Sequence, residues 1–242
     1  MKRTKLVSDK GFTIVELMIA LSVLAVLLVT STLVMIQIGG LYTKGVNAAD
    51  LQNTTRNIVG DIASQLQFSG RAPVGCTPAL NNRTCYADSQ DITVSAVGGG
   101  TAEITVYSYC IGDTRYSYFL NHKLGVDTYN GEAIPHVLWR DTLKTATTAC
   151  EPLDITESVP SDDDTKPGSG YEMMGSNMRL TRFNVQPAST SGNTYYVDVW
   201  TAFGDSDLVQ TDATGKPTCR TTRGSQFCSN SIISTQITGR VY

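Results

Sequence analysis

A glutamate at position 16 stands at the head of a long apolar run, and it is the residue that most asks for chemistry. At the centre of a bilayer an ionised carboxylate costs about 2.5–3.5 kcal/mol, and less near an interface, so it calls for a partner. Six cysteines (Cys76, Cys85, Cys110, Cys150, Cys219 and Cys228) form the second reactive set, against only two histidines, His122 and His136. That balance reads as three disulfides rather than a zinc site. Disulfides persist outside the cytosol, so the pattern points to export. Pairing in sequence order, Cys76–Cys85, Cys110–Cys150 and Cys219–Cys228, is the expected one of the fifteen connectivities. Each bridge would add about 2–3 kcal/mol.

Other chemistry is thin. Residues 160–170 (PSDDDTKPGSG) and the group Asp205, Asp207 and Asp212 hold clustered carboxylates. Neither follows the ligand spacing of the twelve-residue calcium loop. Both read as solvated acidic loops, with Asp205 and Asp207 kept as weak calcium candidates and no other metal site or cofactor expected. There is no H-E-x-x-H, no G-x-S-x-G elbow and no P-loop, so no enzyme is expected. Gly98-Gly99-Gly100 runs into another strand-like stretch, TAEITV, and reads as a hairpin turn. The net charge of −3 argues against a dedicated nucleic-acid binder. Arg220 and Arg223, between Cys219 and Cys228, could touch an anion such as DNA, although surface solvation is the expected role. Tyr107, Tyr109, Tyr195 and Tyr196 could form a contact surface, with most of them expected in the core.

The elements that carry these residues follow from patterning. Residues 1–11 hold Lys2, Arg3, Lys5 and Lys10 against one acid, Asp9. The apolar run Leu17–Ile38 then spans about 33 Å as a helix, enough to cross a hydrocarbon core. Positive charge ahead of it keeps that end cytoplasmic and sends the carboxyl terminus outside. An ordinary secretory signal has a shorter apolar region followed by a small-residue cleavage site, and no convincing site lies between Ile38 and Asp50. An uncleaved anchor is one reading, and Glu16 argues against it.

The stretch KGFTIVELMIAL, with Gly11, Phe12, Glu16 and the apolar residues after them, resembles the cleavage and methylation motif of type IV prepilins, shared with type II secretion pseudopilins. The resemblance covers residues 10–28. It implies cutting between Gly11 and Phe12 by a prepilin peptidase, methylation of the new Phe12 amine, and retention of the whole apolar helix. It also implies that Glu16 pairs with the terminal ammonium of a neighbouring subunit as a filament assembles. Opposite charges in a low-dielectric bundle cost less together than apart. Partners implied are other pilin subunits, the peptidase and an assembly platform in the cytoplasmic membrane, with an extracellular pilus as the destination. Loss of the leader would leave 15 basic and 21 acidic residues.

Beyond Ile38, Leu51, Thr55, Ile58, Ile62 and Leu66 recur on one helical face, and no proline interrupts before Pro73. One helix from Phe12 to Ser69, about 85 Å long, is therefore expected. Its second half needs a surface to bury its stripe against. Many major pilins carry a proline in the apolar half; here Gly39-Gly40 is the candidate soft point, or a simple kink at the membrane exit. From Ala72 onward Ser, Thr, Tyr and Val favour strands, expected at Ile92–Val97, Ile104–Ile111, Arg115–Asn121, Val137–Arg140, Met178–Val185, Tyr195–Phe203 and Ile232–Val241. Residues 110–115 read as a hairpin turn.

The resulting expectation is an α+β fold, a long amino-terminal helix packed on an antiparallel sheet, which is also the pilin architecture. Its parts are a leader at 1–11, a membrane and polymerisation helix at 12–38, an amphipathic half at 39–70 and a disulfide-containing sheet domain at 71–242. The carboxyl terminus, with Ser234, Thr235, Ile237 and Arg240, resembles the last strand of larger minor pilins, which implies a minor subunit of a pilus serving adhesion, motility or DNA uptake. A secretion pseudopilin, or an anchored surface protein that binds a ligand without polymerising, remains open.

Overall fold

The computed structural model describes residues 11–69, 73, 77–78, 85–96, 100–124, 128–129, 132–143, 149–160, 169–188, 193–220, 224 and 227–240. Two compact units divide the chain, one ending at Thr43 and one beginning at Lys44. Helix α1 covers Ile14–Phe68 and runs through Gly39-Gly40 without a break. In its second half Leu51, Thr55, Ile58, Val59, Ile62 and Leu66 are buried, which is the expected stripe with Val59 added.

The strands of the second unit are antiparallel but fall into two main sheets rather than one. The first holds β1 (Asp88–Ala96), β2 (Gly100–Ile111), β3 (Thr114–Tyr118), β4 (Leu138–Thr142) and β5 (Tyr171–Glu172), in that order. The second orders β6 (Met178–Pro187), β7 (Thr194–Phe203) and a last strand, β10 (Ser229–Thr238). A small hairpin of β8 (Val209–Thr211) and β9 (Pro217–Cys219) lies between β7 and β10 in the chain. Two-residue ladders join 77–78 to 85–86 and 128–129 to 132–133. The β2–β3 turn is the tight one expected: Ile111 pairs with Thr114 across Gly112-Asp113, and Gly112 takes φ 61°. Ala96 pairs with Gly100 across the other hairpin, whose connecting residues 97–99 lie outside those described.

Several strands run longer than expected, such as Asp88–Ala96 and Gly100–Ile111, and two stop short for local reasons. Strand β3 stops at Tyr118 rather than Asn121, because Asn121 adopts φ 67° and leaves the ladder. The chain then runs beside β6, where Leu180 O accepts from Asn121 N and Met178 O accepts from Leu124 N, linking the two sheets. Strand β10 ends at Thr238 because Gly239 passes under helix α1, where a Cβ would come within 2.9 Å of Leu66 O.

The main core joins the helix stripe to both sheets, through Tyr109, Tyr116, Tyr118, Leu180, Phe183, Val197 and Val199 among others. Tyr109 and Tyr195 are buried and Tyr107 is partly buried, whereas Tyr196 stays exposed. Burial holds the Tyr109 phenol protonated far above its ordinary range. Polar contacts fix the helix to the strands. Thr55 and Thr201 share a buried hydrogen bond of 2.7 Å, and Asp61 accepts from Tyr116 Oη at 2.6 Å and Arg140 Nε at 2.8 Å. Burial, with the Asp61 carboxylate beside it, likewise pushes the Tyr116 phenol well above its ordinary value.

Asp61→Ala strands a buried hydroxyl and a partly buried guanidinium, so the domain should lose about 2 kcal/mol in a denaturant titration. Asp61→Asn, which keeps an acceptor, should lose less. A loss below about 0.5 kcal/mol for the alanine variant would show that this clamp does not hold the helix.

The face of the first sheet away from the helix is covered by the segment 149–160, a strap without regular structure. Its Leu153 and Ile155 pack on Ile104, Val106, Phe119, Ile134 and Trp139. Cys110–Cys150 pins its start, Cys150 O accepts from Ser108 Oγ at 2.5 Å, and Leu153 N donates to Ser117 Oγ at 3.1 Å. Arg115 lies under the strap, 2% exposed. It donates from Nε and Nη2 to Asp141 at 3.0 and 2.6 Å and from Nη1 to Glu151 O at 3.0 Å. Cys219–Cys228 ties the end of β9 to the start of β10, and Cys228 packs with Ala202, Leu208 and Val209. The third expected bridge involves Cys76, which lies outside the described residues, as do the leader at 1–10 and the acidic loop at 161–168.

Candidate functional site

Thr13 precedes the first helical residue, and a helix start leaves backbone N–H groups without intrahelical partners. Thr13 Oγ1 accepts from Glu16 N at 3.2 Å, while Glu16 Oε2 accepts from Thr13 N and Thr13 Oγ1, each at 3.2 Å. This reciprocal pair is a capping box, spelled T-x-x-E. The motif resemblance assigns Glu16 to a neighbouring subunit and is silent on Thr13, although the T-x-x-E spacing alone could have identified the cap. Both bonds fall on Oε2.

Ahead of the cap, Gly11 has nothing within 4 Å of the position a Cβ would take, and Phe12 is 85% exposed. Packing among the described residues therefore does not require glycine at position 11. Behind the cap, the large apolar side chains from Ile14 to Val46 are exposed as well. The most apolar eighteen-residue window has mean hydropathy 2.6 and none of it is buried, so the helix is long and apolar enough to cross a membrane. Three of its hydroxyls bond back to the helix's own carbonyls. Ser22 donates to Ile19 O at 2.8 Å, Thr30 to Val26 O at 3.0 Å and Thr32 to Leu28 O at 2.8 Å. Glu16 is thus the one ionisable side chain between Phe12 and Ile38.

Among the described residues, the remaining sequence candidates do not assemble into a site. Asp205 lies against the buried ammonium of Lys123, whose hydrogen bond and charge draw its carboxyl below the ordinary range. Asp207 is exposed in the turn that follows, and no group of three or more His, Cys, Asp or Glu among the described residues could hold a metal ion. His136 is buried, with Nε2 3.1 Å from Ser158 O and its ring against Trp139, while His122 meets Phe119 edge to face. These are packing roles. Arg220 is exposed beside Gln210, whose amide oxygen, suitably turned, accepts from its guanidinium at 2.9 and 3.0 Å; Arg223 lies outside the described residues.

The family model for the prokaryotic N-terminal methylation motif matches residues 7–32. No curated protein and no solved structure matches the chain.

Proposed function

We propose that this chain, whose methylation motif and long apolar helix support a type IV pilin or pseudopilin family, is a minor structural subunit of a type IV pilus serving adhesion, motility or DNA uptake. The observation that carries the reading is the juxtaposition of an open Gly11-Phe12 peptide with an apolar helical segment, from Ile14 to Val46, whose large side chains are exposed. Such a surface needs lipid first and other helices afterwards. A prepilin peptidase would cut after Gly11 and methylate Phe12, and residues 12–38 would hold the subunit in the cytoplasmic membrane until the assembly platform moves it into the filament. Glu16 Oε1, unused by the cap, is the natural acceptor for a neighbour's terminal ammonium. Its pairing there would set subunit register, as buried polar contacts do between helices. The carboxyl-terminal strand carrying Ser234, Thr235 and Ile237 supports a minor rather than a major role.

Mass spectrometry of the amino-terminal peptide tests processing. The expected mature chain begins with N-methylated Phe12; recovery of intact Met1 from the assembled or membrane-bound protein would overturn the reading in favour of a simple anchored binding protein. The same chemistry serves a type II secretion pseudopilus, and the filament from which the methylated chain is recovered separates the two.

A further inference from the structure

The two sheets treat their free edges differently. In the first, β1 is an edge strand among the described residues, and Asp88, Ser89, Gln90 and Asp91 on it are exposed. Its carboxylates guard that edge against another strand of its own kind. In the second sheet the edge is β10, ten residues (SNSIISTQIT) with neither charge nor proline. The bulge that shifts the register of β6 between Leu180 and Arg182 has no counterpart here. Strands β7 and β10 pair without a shift from Thr194 with Thr238 to Phe203 with Ser229. A long, regular and uncharged edge lacks the devices by which sheets usually refuse another strand.

Two backbone bonds set which residues face outward. Thr194 O accepts from Ala188 N, toward β6, whereas Asn193 O accepts from Gly239 N, toward β10. Alternation then turns the N–H and C=O groups of the odd-numbered residues of β10 to β7. Those of Asn230, Ile232, Ser234, Gln236 and Thr238 point away from the sheet, and no strand among the described residues pairs with them. All five residues are exposed, including Ile232, which lies opposite Trp200 in the β7–β10 register. The β8–β9 hairpin meets the strand at its start, where Asn230 Nδ2 donates to Pro217 O at 2.7 Å.

We propose that β10 pairs with β10 of a second copy of this chain, antiparallel about a two-fold axis at Ser234, so that two three-stranded sheets become one continuous sheet. Ser234 would face its own copy and Ile232 would face Gln236, each opposed pair exchanging two backbone hydrogen bonds. Three properties favour a second copy over a foreign peptide. A two-fold axis brings like side chains together, and this strand has no charge to be repelled. Both edges are already built as strands within folded sheets, so neither bears the ordering cost of an extended peptide. An uncharged edge also gives a charged peptide nothing to select. The pairing stands on the sheet alone and does not depend on the filament reading.

Sedimentation of the full chain in detergent, at concentrations up to about 100 μM, tests it. A reversible equilibrium between monomer and dimer is expected. Ser234→Lys and Ser234→Glu, each setting like charges against one another at the axis, should weaken the dimer about tenfold or more. An equimolar mixture of the two variants should restore dimers, since lysine then faces glutamate. A chain that stays monomeric throughout overturns the proposal and leaves the edge to a strand of another protein. Dimers that withstand both single variants overturn it as well, and assign self-association to the apolar helix. Failure of the mixture to restore what the single variants lose would also overturn it, because the copies then do not meet at residue 234.

Discussion

Glu16→Ala should leave cleavage after Gly11 largely intact and reduce incorporation into filaments by about tenfold or more, about 1.4 kcal/mol per subunit contact. The effect has two sources to separate, because the carboxylate also closes the capping box with Thr13. Losing a capping side chain costs about 1 kcal/mol and frays the first turn. Glu16→Gln separates the two, since glutamine completes a capping box but carries no charge. If pairing with a neighbour's ammonium is what matters, Glu16→Gln and Glu16→Ala fail alike, as measured by the filament to membrane ratio of methylated chain. If the glutamine variant assembles as wild type does, the charge pairing is wrong and the residue serves only its own helix.

The second large effect is on the sheet domain. Arg115 and Asp141 sit opposite one another in the β3–β4 register, joined by two parallel hydrogen bonds, and both are buried. Removing one partner leaves an uncompensated charge, which typically costs about 3–5 kcal/mol. Domains of this kind have about 5–15 kcal/mol in total, so Arg115→Ala or Asp141→Ala should lower the denaturant midpoint sharply and the amount of folded protein in the cell with it. The double replacement Arg115→Met with Asp141→Leu should recover much of the loss, because two apolar side chains leave nothing unpaired. A single variant within about 1 kcal/mol of wild type would mean that water reaches the pair and that the strap over Arg115 is loose.

The helix and most strands were legible because their signals are periodic. The spacing from Leu51 to Leu66 has one interpretation as a buried stripe, and the turn at Gly112-Asp113 marks its hairpin by chemistry alone. Division of the strands into two sheets was not legible, since it turns on Asn121 leaving the ladder and on the chain pairing next with β6. The strap 149–160 has no period to detect; it is held by Ser108, Arg115 and Ser117, whose bonds to its backbone depend on tertiary position. Local cysteine pairing was readable at Cys110–Cys150 and Cys219–Cys228. The outer face of β6 escaped notice because a bulge at residue 181 breaks the simple alternation by which Arg182 would have been assigned to a side.

The chain's two tryptophans divide between the sheets, Trp139 on β4 beneath the strap and Trp200 on β7 beneath Arg182. Each is a natural fluorophore for one sheet and is silent about the other. Trp139→Phe and Trp200→Phe therefore turn one protein into two spectroscopic reporters, without any label attached. Coincident unfolding curves from the pair would mark the sheets as a single cooperative block. Separated curves would date their assembly, and show which half of the domain is already built while the other is still finding its register.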